Sequence, residues 1–339
     1  MPSTILPKAL QKGDTIAFIS PSARLNDLLP RSLARGKTFL ESLGFTIKII
    51  YTSLPPTTTI TESIRTRCEE LHTAFRDPSI RAIICTIGGA HANEMLPFLD
   101  YDLIRSNPKI FLGYSDTTFL HYAIESHYPN PIQFTIDHFL HVLTPTTNTP
   151  IGPLPRSTIC TTDHSAFLYG NDESTTPREL TSSPSWRWLR PGNSTGRLYG
   201  GTVSCVVRLQ GTPYAPASWA DKIMFLESAM GNNLAQPYSV GEFRSSLVDL
   251  ALSGVLQQIQ GLVVGRGYKY DDEMQDQLAD VITEVFDTIV GREKHVEIPI
   301  LMNVDFGHTS PLLTLPVGAR VRLDSGRDEF VVEERGVEV

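Results

Sequence analysis

Short apolar runs alternate with longer amphipathic stretches along the first half of the chain. Apolar runs of this length are typical of strands in a parallel sheet that is covered on both faces, whereas apolar positions recurring every three or four residues are typical of helices. The strand–helix–strand order predicts an α/β fold whose N-terminal domain is a Rossmann-like parallel sheet with right-handed crossovers. The predicted strands are residues 15–19, 45–51, 81–87 and 110–112, and the predicted helices are residues 28–43, 61–75 and a stretch that starts near residue 93.

A change of composition separates this domain from the rest of the chain. Thr, Pro and Ser dominate between residues 144 and 185, as expected for a connection between domains. Beyond it strands and helices alternate again, which predicts a smaller C-terminal α/β domain. The predicted limits are residues 1–150 for the N-terminal domain, 151–194 for the interdomain linker and 195–339 for the C-terminal domain.

The pattern within the C-terminal domain predicts its individual elements. Residues 195–201 contain three glycines and are expected to form a hairpin-like or strand-turn piece. The remaining predicted strands are residues 222–226, 261–265, 298–302, 319–323 and 329–333, and the predicted helices are residues 243–258 and 271–290.

The overall composition limits the kinds of protein that this chain can be. With 339 residues, of which 41% are hydrophobic, it can bury a substantial core. A net charge of −8 and the lack of a basic block with interleaved aromatic residues argue against nucleic acid as a partner. The four cysteines are far apart and show no metal-ligand spacing, so they do not indicate a metal site. Neither a signal peptide nor an apolar span of ~20 residues is recognisable, so we expect a soluble, cytoplasmic protein without membrane contact.

Residues 109–120 combine a short apolar run, a glycine and several helix-capping residues. This order indicates a buried strand, a tight turn at Gly113 and the first turn of a helix. A hydroxyl on such a corner is exposed above the strand end, and a helix N-terminus can stabilise developing negative charge there. Ser115 is therefore a candidate nucleophile, although Gly-x-Ser-x-Thr differs from the Gly-x-Ser-x-Gly of α/β-hydrolases. The alternative is that Ser115 only caps the helix.

Two glycines follow the third predicted strand. Gly88 and Gly89 lack the further glycines and the Lys-Ser/Thr pair of a phosphate loop. They either form a simple turn or bring a backbone N–H to the side of Ser115 as an oxyanion-hole donor, with Gly88 as a candidate substrate contact. The nearby His91 is more typical of a surface residue than of a catalytic base.

Two tryptophans, Trp186 and Trp188, stand just beyond the Ser- and Pro-rich stretch. Such an aromatic pair usually serves packing. Near a cleft it could instead stack on a planar ligand group, so both tryptophans are candidate substrate-binding residues.

Three predicted strand ends carry a chemically reactive residue: Ser115, Glu227 and His308. A serine hydroxyl is a poor nucleophile unless a base takes its proton, and an imidazole does so near neutral pH. A carboxylate on the other ring nitrogen then sets the orientation of the imidazole. The three residue types of a catalytic triad are therefore present. Taken singly, Glu227 could be a capping or salt-bridged carboxylate and His308 a loop histidine.

Short motifs that extend in order along nearly the whole chain carry a family resemblance. They are Thr86-Ile87-Gly88-Gly89 with Asn93, Leu96-Pro97-Phe98-Leu99-Asp100-Tyr101-Asp102, Asn107-Pro108-Lys109, Gly113-Tyr114-Ser115-Asp116-Thr117-Thr118, Thr195-Gly196-Arg197-Leu198-Tyr199-Gly200-Gly201, Gly211-Thr212-Pro213-Tyr214, Phe225-Leu226-Glu227, Asp305-Phe306-Gly307-His308-Thr309 and Leu315-Pro316-Val317-Gly318. The combination strongly resembles the LD-carboxypeptidase and microcin C self-immunity serine peptidase family, and is more similar to its microcin-immunity branch.

The resemblance implies a cofactor-free serine hydrolase, usually a homodimer, with an N-terminal parallel-sheet domain and a smaller C-terminal α/β domain. The family triad matches Ser115, Glu227 and His308 in this sequence. Its oxyanion-hole donors match the backbone N–H groups of Gly89 and Asp116.

Departures from the family pattern leave the substrate open. Thr202 stands where the family commonly has Asn, Ser228 replaces an acidic residue, and the segment between Glu227 and His308 is longer than in bacterial members. The expected function is that of a serine carboxypeptidase or amidase acting on a small peptide-like amide. That amide is either a muropeptide L,D-bond or an aminoacyl-nucleotide conjugate of the microcin C type. The alternative is a non-catalytic protein that binds a small molecule on the same scaffold.

Overall fold

The computed structural model describes residues 6–119, 132–162, 178–231, 233, 235–291 and 298–339. The chain divides into two compact units. The first contains the described residues up to Asn148 together with the last four residues, 336–339, and the second contains the described residues from Thr149 to Arg335. Within the described part of the chain, no helix combines the length and the apolar character needed to cross a membrane.

A four-stranded parallel sheet forms the centre of the first unit. Its strands are β1 (Thr15–Ile19), β2 (Thr46–Ile49), β3 (Ile80–Cys85) and β4 (Ile110–Leu112). The order β2-β1-β3-β4 places β1 and β3 in the middle, where side chains such as Ile16 and Ile83 are fully buried. The predicted parallel α/β sheet is confirmed. Because all four strands run the same way, their carboxyl ends lie at one edge, where such sheets place functional groups.

Five α-helices surround this sheet within the described residues. They are α1 (Leu25–Leu28), α2 (Pro30–Ser42), α3 (Ile60–Arg76), α4 (Tyr101–Ser106) and α5 (Gln133–Leu143). The helix predicted to start near residue 93 is present, but it is a 3₁₀ helix, Ala92–Phe98, with Pro97 inside it. A proline cannot donate the backbone hydrogen bond that an α-helix needs there. The Asp100 side chain then accepts from the backbone N–H of Leu103 at 2.8 Å and caps the separate helix α4.

A mixed eight-stranded sheet forms the centre of the second unit. The strands of this unit are β5 (Gly152–Pro153), β6 (Ile159–Cys160), β7 (Thr181–Ser182), β8 (Arg187–Arg190), β9 (Asn193–Thr202), β10 (Lys222–Glu227), β11 (Gly261–Gly265), β12 (Ile300–Val304), β13 (Arg320–Asp324) and β14 (Glu329–Val332). The order is β5-β14-β13-β9-β10-β11-β12-β8, with β6 and β7 in a small sheet of their own. The four central strands β9 to β12 are parallel, and the outer strands pair antiparallel.

Three α-helices of the second unit pack on the parallel strands. They are α6 (Val203–Leu209), α7 (Val240–Leu252) and α8 (Asp272–Val285), the last continued by a π-helical turn over Phe286–Val290. Helix α7 ends six residues before the predicted limit of 258, because Gly254 adopts a φ of +75°, a left-handed conformation that terminates helices. A cluster of buried apolar side chains that includes Phe243, Leu262 and Ile282 joins the helices to the sheet.

The glycine-rich residues 195–201 lie inside the single ten-residue strand β9 and do not form a hairpin or a turn. The reason is close packing. A Cβ atom added at Gly200 would lie 1.7 Å from the carbonyl oxygen of Phe225 on the neighbouring strand β10. Glycine is needed here so that two backbones can approach each other.

Candidate active site

Ser115 lies on a sharp corner in the first unit. Strand β4 ends at Leu112, and the 3₁₀ helix Ser115–Phe119 begins three residues later. Ser115 itself has a φ of +59°, a left-handed conformation that costs a non-glycine residue roughly 1–2 kcal/mol. The corner is held by Thr117, whose backbone N–H and hydroxyl both donate to the carbonyl oxygen of Tyr114, at 3.1 and 2.6 Å. A strained serine at a strand-to-helix corner is the arrangement expected of an exposed nucleophile.

Gly88 lies directly against Ser115. A Cβ atom added at Gly88 would lie 2.5 Å from the Ser115 Cβ and 2.9 Å from its Oγ. Real Cβ atoms do not approach other heavy atoms this closely. The glycine therefore gives the serine side chain room at the carboxyl edge of the sheet.

The carboxylate of Asp116 connects three loops that follow β1, β3 and β4. This buried side chain accepts from the Ser22 hydroxyl at 2.6 Å and from the backbone N–H of Ala92 at 3.0 Å. The Ser22 oxygen in turn accepts from the backbone N–H of His91 at 3.1 Å. Gly89 packs on the same serine, since an added Cβ would lie 2.4 Å from the Ser22 Oγ. The two residues predicted as oxyanion-hole donors, Gly89 and Asp116, thus belong to one network around Ser22.

A buried arginine donates hydrogen bonds to two of these loops. The Arg67 guanidinium on α3 donates to the carbonyl oxygens of Pro21 and His91, at 2.9 and 3.0 Å, and to the carboxylate of Glu94 at 2.7 Å. Charge-assisted hydrogen bonds of this kind restrict both partners strongly. The loops that follow β1 and β3 are therefore held in a fixed arrangement.

Cys85 is a second potential nucleophile at this edge of the sheet. Burial, and to a smaller extent the nearby Asp116 carboxylate, raises the pKa of the Cys85 thiol well above its ordinary value. The thiolate, which is the reactive form of cysteine, is thereby disfavoured. Ser115 is therefore the better candidate nucleophile at this edge of the sheet.

The second unit brings Glu227 and His308 together. Glu227 ends strand β10, and His308 follows strand β12. Their side chains are buried, and the Oε2 atom of Glu227 lies 2.7 Å from the Nδ1 atom of His308. The other carboxylate oxygen, Oε1, accepts a hydrogen bond from the hydroxyl of Thr202, which is the residue of β9 paired with Glu227. Gly307 leaves space for the pair, because a Cβ added there would lie 3.3 Å from the Cβ of Glu227.

This arrangement defines what the pair can do chemically. Since the carboxylate occupies Nδ1, the neutral imidazole of His308 carries its proton on that nitrogen and leaves Nε2 as an acceptor. The carboxylate also stabilises the imidazolium that forms when Nε2 takes up a proton. Of the three predicted catalytic residues, the second unit thus brings two into hydrogen-bond contact, and Ser115 belongs to the first unit.

Trp186 and Trp188 both use their indole N–H groups within the second unit. The buried Trp186 donates to the Oδ2 atom of Asp305 at 2.7 Å, and the Arg156 guanidinium lies 4.3 Å from its ring centre. Trp188 is partly exposed on β8 and donates to Asp328 at 2.8 Å. These contacts favour packing for Trp186, and a substrate contact for either ring stays a prediction.

Sequence reasoning missed the parts of the site that act through another residue. It noted Thr202 only as a departure from a family pattern, and it did not identify Ser22 or Arg67 as partners of the candidate residues. The available signal was position: Ser22 and Thr202 both stand at the carboxyl end of a strand, where functional loops meet.

Comparison with known proteins agrees with the motifs. A family model described as the LD-carboxypeptidase N-terminal domain matches residues 16–132, and one described as the LD-carboxypeptidase C-terminal domain matches residues 195–323. A Vibrio cholerae protein named for carboxypeptidase activity is 30% identical, over 97% of this chain and 98% of its own length. A Bacillus subtilis protein with the name "Probable murein peptide carboxypeptidase" is 28% identical, over 96% and 94%.

A further relative is the microcin C7 self-immunity protein MccF of Escherichia coli. It is 28% identical over 98% of this chain and 96% of its own length. A solved structure of MccF in complex with glutamyl sulfamoyl guanosine matches this structure with a TM-score of 0.84 at 25% identity, covering 99% of this chain and all of that one. Because the two family models together span most of the chain, and these relatives align with nearly all of it, the chain belongs to the LD-carboxypeptidase family.

Proposed function

We propose that the protein is a serine peptidase or amidase that uses Ser115, His308 and Glu227 as a catalytic triad. The observation that carries this proposal is the buried hydrogen bond of 2.7 Å between Glu227 and His308. A histidine oriented in this way is the base that a serine nucleophile needs. The strained backbone of Ser115 adds independent support from the first unit.

The proposed reaction is acyl transfer to Ser115 followed by hydrolysis. The Ser115 oxygen attacks the carbonyl carbon of the amide while the Nε2 atom of His308 takes its proton. The backbone N–H groups of Gly89 and Asp116 stabilise the negative charge that develops on the carbonyl oxygen. His308 then gives its proton to the leaving amine as the C–N bond breaks. Water activated by the same histidine releases the acyl group, which regenerates the serine.

The proposed substrate is a small peptide-like amide. Among the relatives, MccF has been solved with an aminoacyl sulfamoyl nucleoside, and one Bacillus subtilis relative is named for murein peptides. We propose an aminoacyl-nucleotide conjugate as the first substrate class to test and the L,D-bond of a muropeptide as the second. Measuring the turnover of both substrate classes with the same preparation decides which of them the protein cleaves.

Covalent labelling tests the proposed nucleophile without a known substrate. A fluorophosphonate probe should react with the wild-type protein at Ser115, as located by peptide mass spectrometry, because an activated serine attacks phosphorus as it attacks a carbonyl carbon. Ser115→Ala should not be labelled. A folded wild-type protein that leaves Ser115 unmodified would contradict the proposal and favour the non-catalytic binding protein.

Gly88→Ala should slow this labelling by roughly 100-fold, because displacement of a reacting group by about 1 Å has effects of that size. The added methyl group would lie 2.5 Å from the Ser115 Cβ, so the serine has to move. Gly241→Ala is the matched control, since a Cβ there, on the exposed side of α7, has no neighbour closer than 4.0 Å. Labelling of Gly88→Ala at the wild-type rate would show that the position of Ser115 does not limit the reaction.

Trp186→Ala should lower turnover of nucleotide conjugates and of simple dipeptide amides to the same degree. Trp186 is buried and bonded to Asp305, so its loss should disturb packing and cost about 3–5 kcal/mol of unfolding free energy. Trp188→Ala removes a partly exposed ring, and its turnover of the same two substrates is the comparison. A loss confined to nucleotide conjugates in either variant would instead assign that tryptophan to substrate stacking, a contact worth roughly 1–3 kcal/mol.

Two further expectations belong to the same proposal. We propose that the protein acts in the cytoplasm. We also propose that it is a homodimer, as the family resemblance implies. Sedimentation equilibrium of the purified protein measures the assembly.

A further inference from the structure

Arg266 is the most deeply buried arginine beside the candidate site. It follows strand β11 directly, and its side chain is 2% exposed. Its Nη1 atom lies 3.1 Å from the Oδ1 atom of Asp305, a carboxylate that is 1% exposed. Burial raises the pKa of Asp305, and the Arg266 charge and the Trp186 N–H oppose that rise. The two charges therefore depend on each other inside the protein.

The guanidinium holds both sides of His308. Besides Asp305, it donates from Nε to the hydroxyl of Thr309 at 3.1 Å and from Nη2 to the carbonyl oxygen of Pro311. These partners lie in one loop, residues 305–311, which we call the His308 loop. The backbone N–H of Leu313 closes this loop by donating to the carbonyl oxygen of Asp305 at 2.8 Å.

A buried ion pair is weak evidence for a role in stability. Removing two charges from water costs several kcal/mol for each ion, and packed apolar side chains often stabilise a core as well or better. In addition to its charge, Arg266 supplies hydrogen bonds of fixed geometry. Its planar fork donates to three positions of one loop at fixed angles, which the point charge of a lysine cannot do.

From this geometry we infer that Arg266 is a positioning residue: it holds the His308 loop so that the Nδ1 atom of His308 stays on the carboxylate of Glu227. The inference rests on the proposed function for its effect on catalysis. Its structural part, the link between Arg266 and the Glu227–His308 hydrogen bond, can be measured without any activity.

Arg266→Lys tests the inference in two ways. In protein labelled with ¹⁵N-histidine, the proton between His308 and Glu227 should give a far-downfield NMR signal that His308→Ala and Glu227→Gln both remove. Arg266→Lys should shift or abolish this signal at a temperature where the variant is fully folded. The fluorophosphonate labelling rate should fall roughly 10- to 100-fold.

Arg322→Lys is the matched control within the same unit. Arg322 is 19% exposed, and its carboxylate partners Asp324, Glu329 and Glu333 lie on or next to β13 and β14. This variant should keep both the NMR signal and the labelling rate. A folded Arg266→Lys protein that also keeps both would overturn the inference.

A second pair of variants decides the question if Arg266→Lys does not fold. Thr309→Val removes the hydroxyl that accepts from Arg266, and Thr309→Ser retains it. We expect Thr309→Val to weaken the NMR signal of His308 and to slow labelling of Ser115. Thr309→Ser should recover both. Wild-type behaviour of both variants would overturn the inference. If wild-type protein is not labelled at Ser115 but Arg266 still controls the His308 signal, the proposed function fails while the link survives.

Discussion

Ser115→Ala should lower turnover of a cleaved amide by roughly 10⁴- to 10⁶-fold while ligand affinity stays within a few-fold of wild type. The reason is that the hydroxyl is needed only for bond formation, so its loss removes the acyl-enzyme route and spares the groups that hold the substrate. Turnover and equilibrium binding on the same preparation measure both quantities. Turnover near the wild-type level would remove Ser115 from the mechanism.

The backbone of Ser115 offers a control that separates a nucleophile from a helix cap. Because Ser115 has a φ of +59°, Ser115→Gly should relieve strain and stabilise the protein by about 1 kcal/mol relative to Ser115→Ala. If Ser115 is the nucleophile, both variants should lose turnover to the same extent. If Ser115 only capped the helix, both variants would keep their turnover and Ser115→Ala would lose about 1 kcal/mol of stability.

Glu227→Gln should reduce turnover by roughly 10²- to 10⁴-fold with little change in substrate affinity or melting temperature. The amide has the shape of the carboxylate, but it cannot stabilise the imidazolium charge, and it can favour the wrong tautomer of His308. The acceptor for the Thr202 hydroxyl is retained if the amide oxygen faces it. Thermal unfolding and turnover should be measured on one preparation.

The matched control for this variant is Glu70→Gln in the first unit. Glu70 is buried to a similar extent and pairs with Arg24 at 2.7 Å. Breaking a buried ion pair of this kind costs stability, so Glu70→Gln should melt earlier and retain turnover in the folded fraction. If Glu227 only supported the fold, Glu227→Gln would also melt earlier and retain turnover. That result would contradict the triad assignment.

The sequence by itself determined the parts of this protein that depend on local patterns. The apolar runs predicted β1, β3 and β4, and the confirmed parallel sheet followed from their alternation with helices. The corner at Ser115 was also predictable, because a glycine between a strand and a row of capping residues is a signal contained in a few consecutive positions. The motifs identified the family for the same reason, since each is short and their order is preserved along the chain.

Only the tertiary structure decided which distant residues meet. Glu227 and His308 are 81 positions apart, and their contact depends on β10, β11 and β12 lying side by side. The parallel register that pairs Glu227 with Thr202 gave the carboxylate its second partner. Local patterns failed at residues 195–201 as well, since the glycines there make room for a neighbouring strand that the segment itself does not encode.

The support of the site was the least predictable part. Arg266 and Asp305 would each be expected at the surface from residue type alone, because isolated charges are costly to bury. Their burial is tolerable because each group carries the charge opposite to its partner's. Further hydrogen bonds join Asp305 to Trp186 and Ser157, and Arg266 to Thr309, Ser183 and Pro311. That mutual dependence exists only once strand β11 and the His308 loop have come together in the folded unit.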